Sequence, residues 1–334
     1  PTVQVFEEKV RLLEGAEAAT SAATGMGIIS SVLCALLDPG ERVVSLKDTY
    51  GGTTVLFQEF LPRQGVTAAL CDTTDHDAIE EEISLGCKLL YLETPTNPTI
   101  KILDIGRLAK AGHEAGAIVV VDNTFATPIN QNPIELGADL VLHSATKFLG
   151  GHADALGGVV CGRAELVKKV YHYREINGAA LSPMSAYLLL RGMKTLSLRI
   201  NRQNENALTI ARFLETHPSI DRVFYPGLES HPGHTTALRQ MRGFGGMMSF
   251  SLKGESIDSA RRFLQRLHLA HKAANLGAVE TIAGIPATTS HVECTAEERK
   301  ALGIPETLIR YSVGIEDVQD LMDDLSQALD GLRL

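Results

Sequence analysis

Cysteine is scarce and scattered in these 334 residues: Cys34, Cys71, Cys87, Cys161 and Cys294 include no C-x-x-C pair. An odd, dispersed set speaks against a disulfide framework and suits a reducing compartment, so a cytoplasmic location is expected. Long apolar runs are missing too. The longest, such as 117–121 and 187–190, are far too short to span a bilayer. No charged-then-apolar leader is present, and no internal repeat or low-complexity tract stands out. The residues start at Pro1 without a methionine, so a native N-terminal stretch is expected upstream. Basic charge is in the minority, with 31 Lys and Arg against 40 Asp and Glu, a net charge of −9 mixed along the chain. That balance disfavours a nucleic-acid or anionic-membrane partner.

What remains is an ordinary globular composition, 44% hydrophobic and 21% charged. A chain of this length buries a substantial core and usually divides in two. Residues 3–14 and 26–37 read as helices, the second ended by Asp38-Pro39-Gly40. A strand candidate at 42–46 precedes a Gly51-Gly52 turn and a helix near 53–64. Strands at 89–93, 117–122 and 139–143 follow, with a helix at 104–115 between the first two. Apolar strands bounded by helices indicate a mostly parallel sheet covered on both faces. The texture changes after Arg191. A long polar helix at 195–216 leads to strands near 221–225 and 247–252 and helices near 256–267 and 316–332. The division expected is a large domain over 1–195 and a smaller α/β domain over 196–334.

Candidate chemistry gathers at strand ends and helix starts, where open α/β sheets bind ligands. Thr24-Gly25-Met26-Gly27 precedes an apolar helix; its glycines suit either a permissive helix start or a phosphate drawn to the positive helix end. The strand Val119-Val120-Val121 ends in Asp122, which is either a cap or an acid holding a protonated ring nitrogen; no His/Cys/Asp cluster around it favours a metal. After the next strand comes Ser144-Ala145-Thr146-Lys147. Its amine is a surface cation or a Schiff-base former, and its hydroxyls are turn residues or phosphate ligands. Tyr50, in Asp48-Thr49-Tyr50-Gly51-Gly52, could stack on a flat heterocycle. Asn97, in the Pro-flanked turn 93–98, could contact a ring hydroxyl. Arg310, among apolar neighbours at 308–312, needs a counter-charge, which a structural acid or a substrate carboxylate would supply equally well. The lone His231-Pro232-Gly233-His234 turn is not read as a metal site.

Taken together, Asp48–Gly52, Glu93–Pro98, Val121–Phe125, Ser144–Lys147 with Gly150-Gly151-His152, Tyr225–Leu228 and Leu308–Asp317 resemble the Cys/Met-metabolism family of pyridoxal-phosphate (PLP) enzymes. This family includes cystathionine γ-synthases, cystathionine and methionine γ-lyases and homoserine-ester sulfhydrylases. The resemblance implies fold type I, the aspartate-aminotransferase architecture. It implies that Lys147 carries pyridoxal 5'-phosphate as a Schiff base and that Asp122 pairs with the ring nitrogen. Gly25, Met26, Ser144 and Thr146 would cradle the phosphate, Tyr50 would stack and exchange protons, Asn97 would meet the ring hydroxyl, and Arg310 would clamp the substrate carboxylate. It also implies a homotetramer of two-fold dimers, and an upstream segment whose Tyr and Arg reach a neighbouring subunit's phosphate.

Three positions depart from what relatives commonly carry. Gly52 stands where methionine γ-lyases have a cysteine, and Ala274 where many cystathionine-handling relatives have a glutamate. Asn275, expected at the substrate, replaces a common serine and is similar to sulfhydrylase-type relatives. Replacement at Cγ by a thiol is therefore expected ahead of elimination to a 2-oxo acid, ammonia and a thiol. Two rivals of other classes are a non-catalytic scaffold, which has no use for Lys147 and Asp122, and a dinucleotide-binding oxidoreductase, for which Gly25-x-Gly27 lacks the full fingerprint.

Overall fold

A computed structural model describes residues 1–332 apart from Glu255 and Glu293. Its centre is a seven-stranded sheet of β1 (Ala18–Ala22), β2 (Arg42–Leu46), β3 (Thr67–Cys71), β4 (Leu89–Glu93), β5 (Ile118–Asp122), β6 (Leu140–Ser144) and β7 (Gly158–Gly162), in the order β1-β7-β6-β5-β4-β2-β3. Strand β7 runs antiparallel to β1 and β6, and every other pairing is parallel.

Side-chain alternation explains why both faces are covered. Tyr91, Val120 and Leu142 face a layer built on the helices Gly25–Leu36 and Ala164–Asn177. Their neighbours Leu92, Val121 and Val141 face the opposite layer, which holds the helices Thr2–Glu14, Ile105–Glu114 and Pro183–Met193. A strand wholly flanked by helices needs apolar residues at every position, and the runs at β4 and β5 supply them.

A second sheet contains β8 (Ile220–Phe224), β9 (Met247–Leu252), β10 (His271–Lys272), β11 (Ile282–Gly284) and β12 (Leu308–Ser312), in the order β10-β11-β12-β9-β8. It is antiparallel except for β10 with β11. One face packs on the helices Leu196–Glu215, Ile257–Arg266 and Val318–Asp330. Ile309 and Tyr311 point into that core, so alternation turns Leu308 and Arg310 toward the large sheet. Ser249 on β9 donates to the Pro98 carbonyl at 2.6 Å, tying the two sheets' layers together.

The structure holds several elements that the sequence reading did not name, and two differences are instructive. Strands β1, β3 and β7 were not expected: Ala18-Ala19-Thr20-Ser21-Ala22 lacks the β-branched and aromatic residues that mark a strand, and its pairing with β7 draws on residues more than a hundred positions away. The helix expected near 53–64 is α-helical over Gly51–Val55 and Leu61–Arg63, with one π turn at Leu56–Phe60 between them. Pro62 has no N–H to give that turn, and the wider spiral absorbs the missing bond.

Candidate active site

The carboxyl ends of four adjacent parallel strands, β6, β5, β4 and β2, open into one cleft of about 330 Å³. Gly25, Met26, Tyr50, Asn97, Asp122, Ser144, Thr146, Lys147 and Arg310 all line it. Asn275 meets the site through Lys147, whose Nζ donates to Asn275 Oδ1 at 2.8 Å. Every site residue named from the sequence is thus brought together, from segments as far apart as Gly25 and Arg310.

One end of the cleft is shaped for an anion. Thr24 caps the helix Gly25–Leu36 by accepting from Gly27 N, and the first intrahelical bond is Ile28 N to Thr24 O. The N–H groups of Gly25 and Met26 thus precede the helical ladder, at the positive end of the helix dipole. A Cβ at Gly25 would stand 2.8 Å from Ser144 Oγ, so glycine is what lets the backbone and that hydroxyl share one cradle. Thr146 Oγ1 accepts from Gly157 N at 3.1 Å and donates to Gly157 O at 3.3 Å, which fixes the hydroxyl beside Ser144.

The middle of the cleft is acidic and dry. Asp122 Oδ1 accepts from Thr124 Oγ1 (2.6 Å) and Thr124 N (3.0 Å), whereas Oδ2 has only a long contact of 3.3 Å with Tyr91 Oη. One carboxylate oxygen is therefore open to a further donor. Burial raises the Asp122 carboxyl above its usual range, opposed chiefly by the two Thr124 bonds. Glu93, also buried, accepts from Tyr50 N at 2.8 Å. Its carboxyl is pushed well up, first by burial and then by Asp122. Of the two acids, Asp122 has two short Thr124 donors that oppose the rise, whereas Glu93 is the one pushed further toward its protonated form.

Two cations face each other across this floor. The Lys147 ammonium is lowered to about 8, first by loss of water and then by the Arg310 charge. Arg310 is only 4% exposed, and burial lowers its guanidinium to about 10. Its partners are neutral oxygens, Asn97 Oδ1 (3.2 Å), Ala274 O (2.7 Å) and Asn275 O (3.4 Å). A buried arginine held only by amides is a ready receptor for a carboxylate. The structural-acid alternative for Arg310 has no support in these contacts.

Sequence reasoning did not assign roles to Glu93 or Thr124. Both fall inside marker segments, but their part depends on which neighbour they touch across the sheet, and spacing along the chain does not reveal that. His231 and His234 hold their own turn through Gly233 N and Pro226 O.

Residues 1–330 match the family model described as Cys/Met metabolism PLP-dependent enzyme. The chain belongs to this family. It is 44% identical to cystathionine gamma-synthase 1, chloroplastic, of Nicotiana tabacum over 99% of this chain and 62% of that protein, and 43% identical to L-methionine gamma-lyase of Fusobacterium nucleatum subsp. polymorphum over 99% of this chain and 84% of that one. The chain thus spans under two thirds of the tobacco relative's length. Among solved structures, the cystathionine gamma synthase of Xanthomonas oryzae pv. oryzae in complex with aminoacrylate and cysteine superposes with a TM-score of 0.97 at 40% identity, covering all of this chain and 86% of that one. The architecture is fold type I of the PLP enzymes, and PLP is the family's cofactor.

Proposed function

We propose that this chain makes or breaks a bond at Cγ of a homoserine ester or a sulfur amino acid, with replacement by a thiol ahead of elimination. The observation that carries the reading is a lysine amine eased toward neutrality, facing across one cleft a buried guanidinium that lacks a carboxylate. An α-amino acid presents both complements, an amine to take the place of Lys147 and a carboxylate for Arg310.

Bound PLP supplies a carbonyl for Lys147 and an electron sink for the pair left at Cα. The free oxygen of Asp122 would accept from the ring nitrogen, and the Asn97 amide would meet the ring hydroxyl. The backbone of Gly25 and Met26 with the hydroxyls of Ser144 and Thr146 would hold the phosphate. Tyr50, 46% exposed at the mouth, would stack on the ring and exchange protons with substrate. Lys147 Nζ would take the proton from the substrate's Cα and then move protons at the neighbouring carbons. Asn275 Oδ1 holds that amine in place meanwhile. Arg310 fixes the α-carboxylate, which orients the Cα–H bond toward Lys147.

Gly52 bears on which reaction follows. A Cβ there would lie 2.9 Å from Met26 Sδ and 3.0 Å from a Tyr50 ring carbon, so a cysteine would require Met26 to shift. The glycine itself, where methionine γ-lyases carry a cysteine, counts against that type. By the same family likeness we propose a homotetramer acting in the cytoplasm, with a thiol as second substrate. The deciding experiment supplies O-acetyl- or O-succinylhomoserine, cystathionine and methionine separately. New thioether formed only when a thiol is added supports the reading; ammonia and 2-oxobutyrate released without thiol would replace it with a γ-lyase.

A further inference from the structure

The sheet face turned away from the cleft carries a buried acid that the proposed chemistry does not use. Glu14 ends the helix Thr2–Glu14 with no exposed surface. A carboxylate there opposes the negative end of the helix dipole, and so needs strong local compensation. Its oxygens pair with His143 Nε2 at 2.6 Å and accept from Asn123 Nδ2 at 2.9 Å and Asn132 Nδ2 at 3.1 Å.

Two of these partners sit directly behind the cleft. Asn123 follows Asp122 and His143 precedes Ser144, so alternation sends Asp122 and Ser144 into the cleft and the other two behind it. In front, Thr124 Oγ1 links the two strand tips by donating to Asp122 and accepting from Ser144 N at 2.8 Å. Behind, Glu14 links the same tips. The Asn123 amide cannot turn away, because it exchanges bonds with Gln131 in both directions. His143 Nδ1 is buried without a partner, so Glu14 is what anchors the ring.

We infer that Glu14 is a positioning residue for the cofactor site: from the back of the sheet it clamps the tips of β5 and β6, setting the spacing between the ring-nitrogen acid and the phosphate hydroxyl. The inference rests on the proposed roles of Asp122 and Ser144. A rigid heterocycle with its phosphate demands a fixed distance between those anchors, and two strand ends joined only in front could splay.

The test measures PLP affinity by equilibrium dialysis, and thermal unfolding with and without PLP. Glu14→Gln turns one acceptor into a donor facing other donors. It is expected to weaken PLP binding about tenfold, the equivalent of one charge-assisted bond, and to shrink the gain in Tm that PLP confers. His143→Gln, whose amide still donates to Glu14, should retain affinity, whereas His143→Leu should lose it as Glu14→Gln does. The His143 pair decides the matter alone if Glu14→Gln fails to fold. Equal losses of Tm with and without PLP at unchanged affinity, or equal loss from His143→Gln and His143→Leu, would overturn the role. Wild-type protein that binds no PLP would instead overturn the cofactor-site reading itself, and this role with it.

Discussion

Lys147 offers the sharpest quantitative test. An ordinary lysine at 10.5 is neutral in roughly three molecules per ten thousand at pH 7, whereas one lowered to about 8 is neutral in roughly one of ten, a gain of about 300-fold in nucleophile. Lowering arises because the folded site binds the proton less well, so reactivity must rise with pH and level off above about 8. The assay takes cofactor-free protein, adds PLP with borohydride across a pH series, and follows trapping by peptide mass. The rate should reach half its plateau near pH 8 with the label on Lys147, and Lys147→Ala should abolish it. Arg310→Gln removes the second cause but leaves the first, so the midpoint should move up yet stay below 10.5. A wild-type midpoint near 10, or no movement on removing Arg310, would refute the account of how this amine is activated.

Glu93→Gln keeps an acceptor for Tyr50 N while deleting the raised carboxyl. Because the folded state holds that proton and the unfolded state releases it near 4.5, the wild type loses stability as pH rises above this value, and the variant should lose less in denaturant titrations at pH 5 and pH 8. Gly25→Ala presses a methyl against Ser144, so PLP affinity should fall at a modest stability cost of about 1–3 kcal/mol, read by dialysis and thermal melts. Arg199, 3% exposed, donates to the carbonyls of Phe148, Leu149 and Gly192, just beyond Lys147. Arg199→Met strands those acceptors and should cost on the order of 3 kcal/mol in urea unfolding; a loss under about 0.5 would contradict the contacts.

The apolar runs at β4, β5 and β6 were readable in the sequence because strands buried on both faces have almost no freedom of composition. Their tips were readable too, since Asp122, Ser144 and Lys147 each interrupt an apolar run at its carboxyl end, where ligands bind. The resemblance added Asn97, Arg310 and Asn275, which the local pattern alone left ambiguous. What stayed hidden depends on the third dimension. Strand β1 exists because β7 pairs with it, Asp122 draws from Thr124 two short donors that Glu93 lacks, and Glu14 touches His143 from 129 positions away in the chain. None of these leaves a local signature.

Arg310 is delivered by the second sheet, while the lysine opposite it hangs from the first. The gap between them, and with it the placing of an α-carboxylate against the lysine amine, is therefore a property of how two layers lean on each other. Contacts such as Ser249 with Pro98, between the strand partner of Arg310 and the residue after Asn97, set that gauge. Retuning how the Cα–H bond is presented to Lys147 need not begin in the cleft at all; it can begin at the seam.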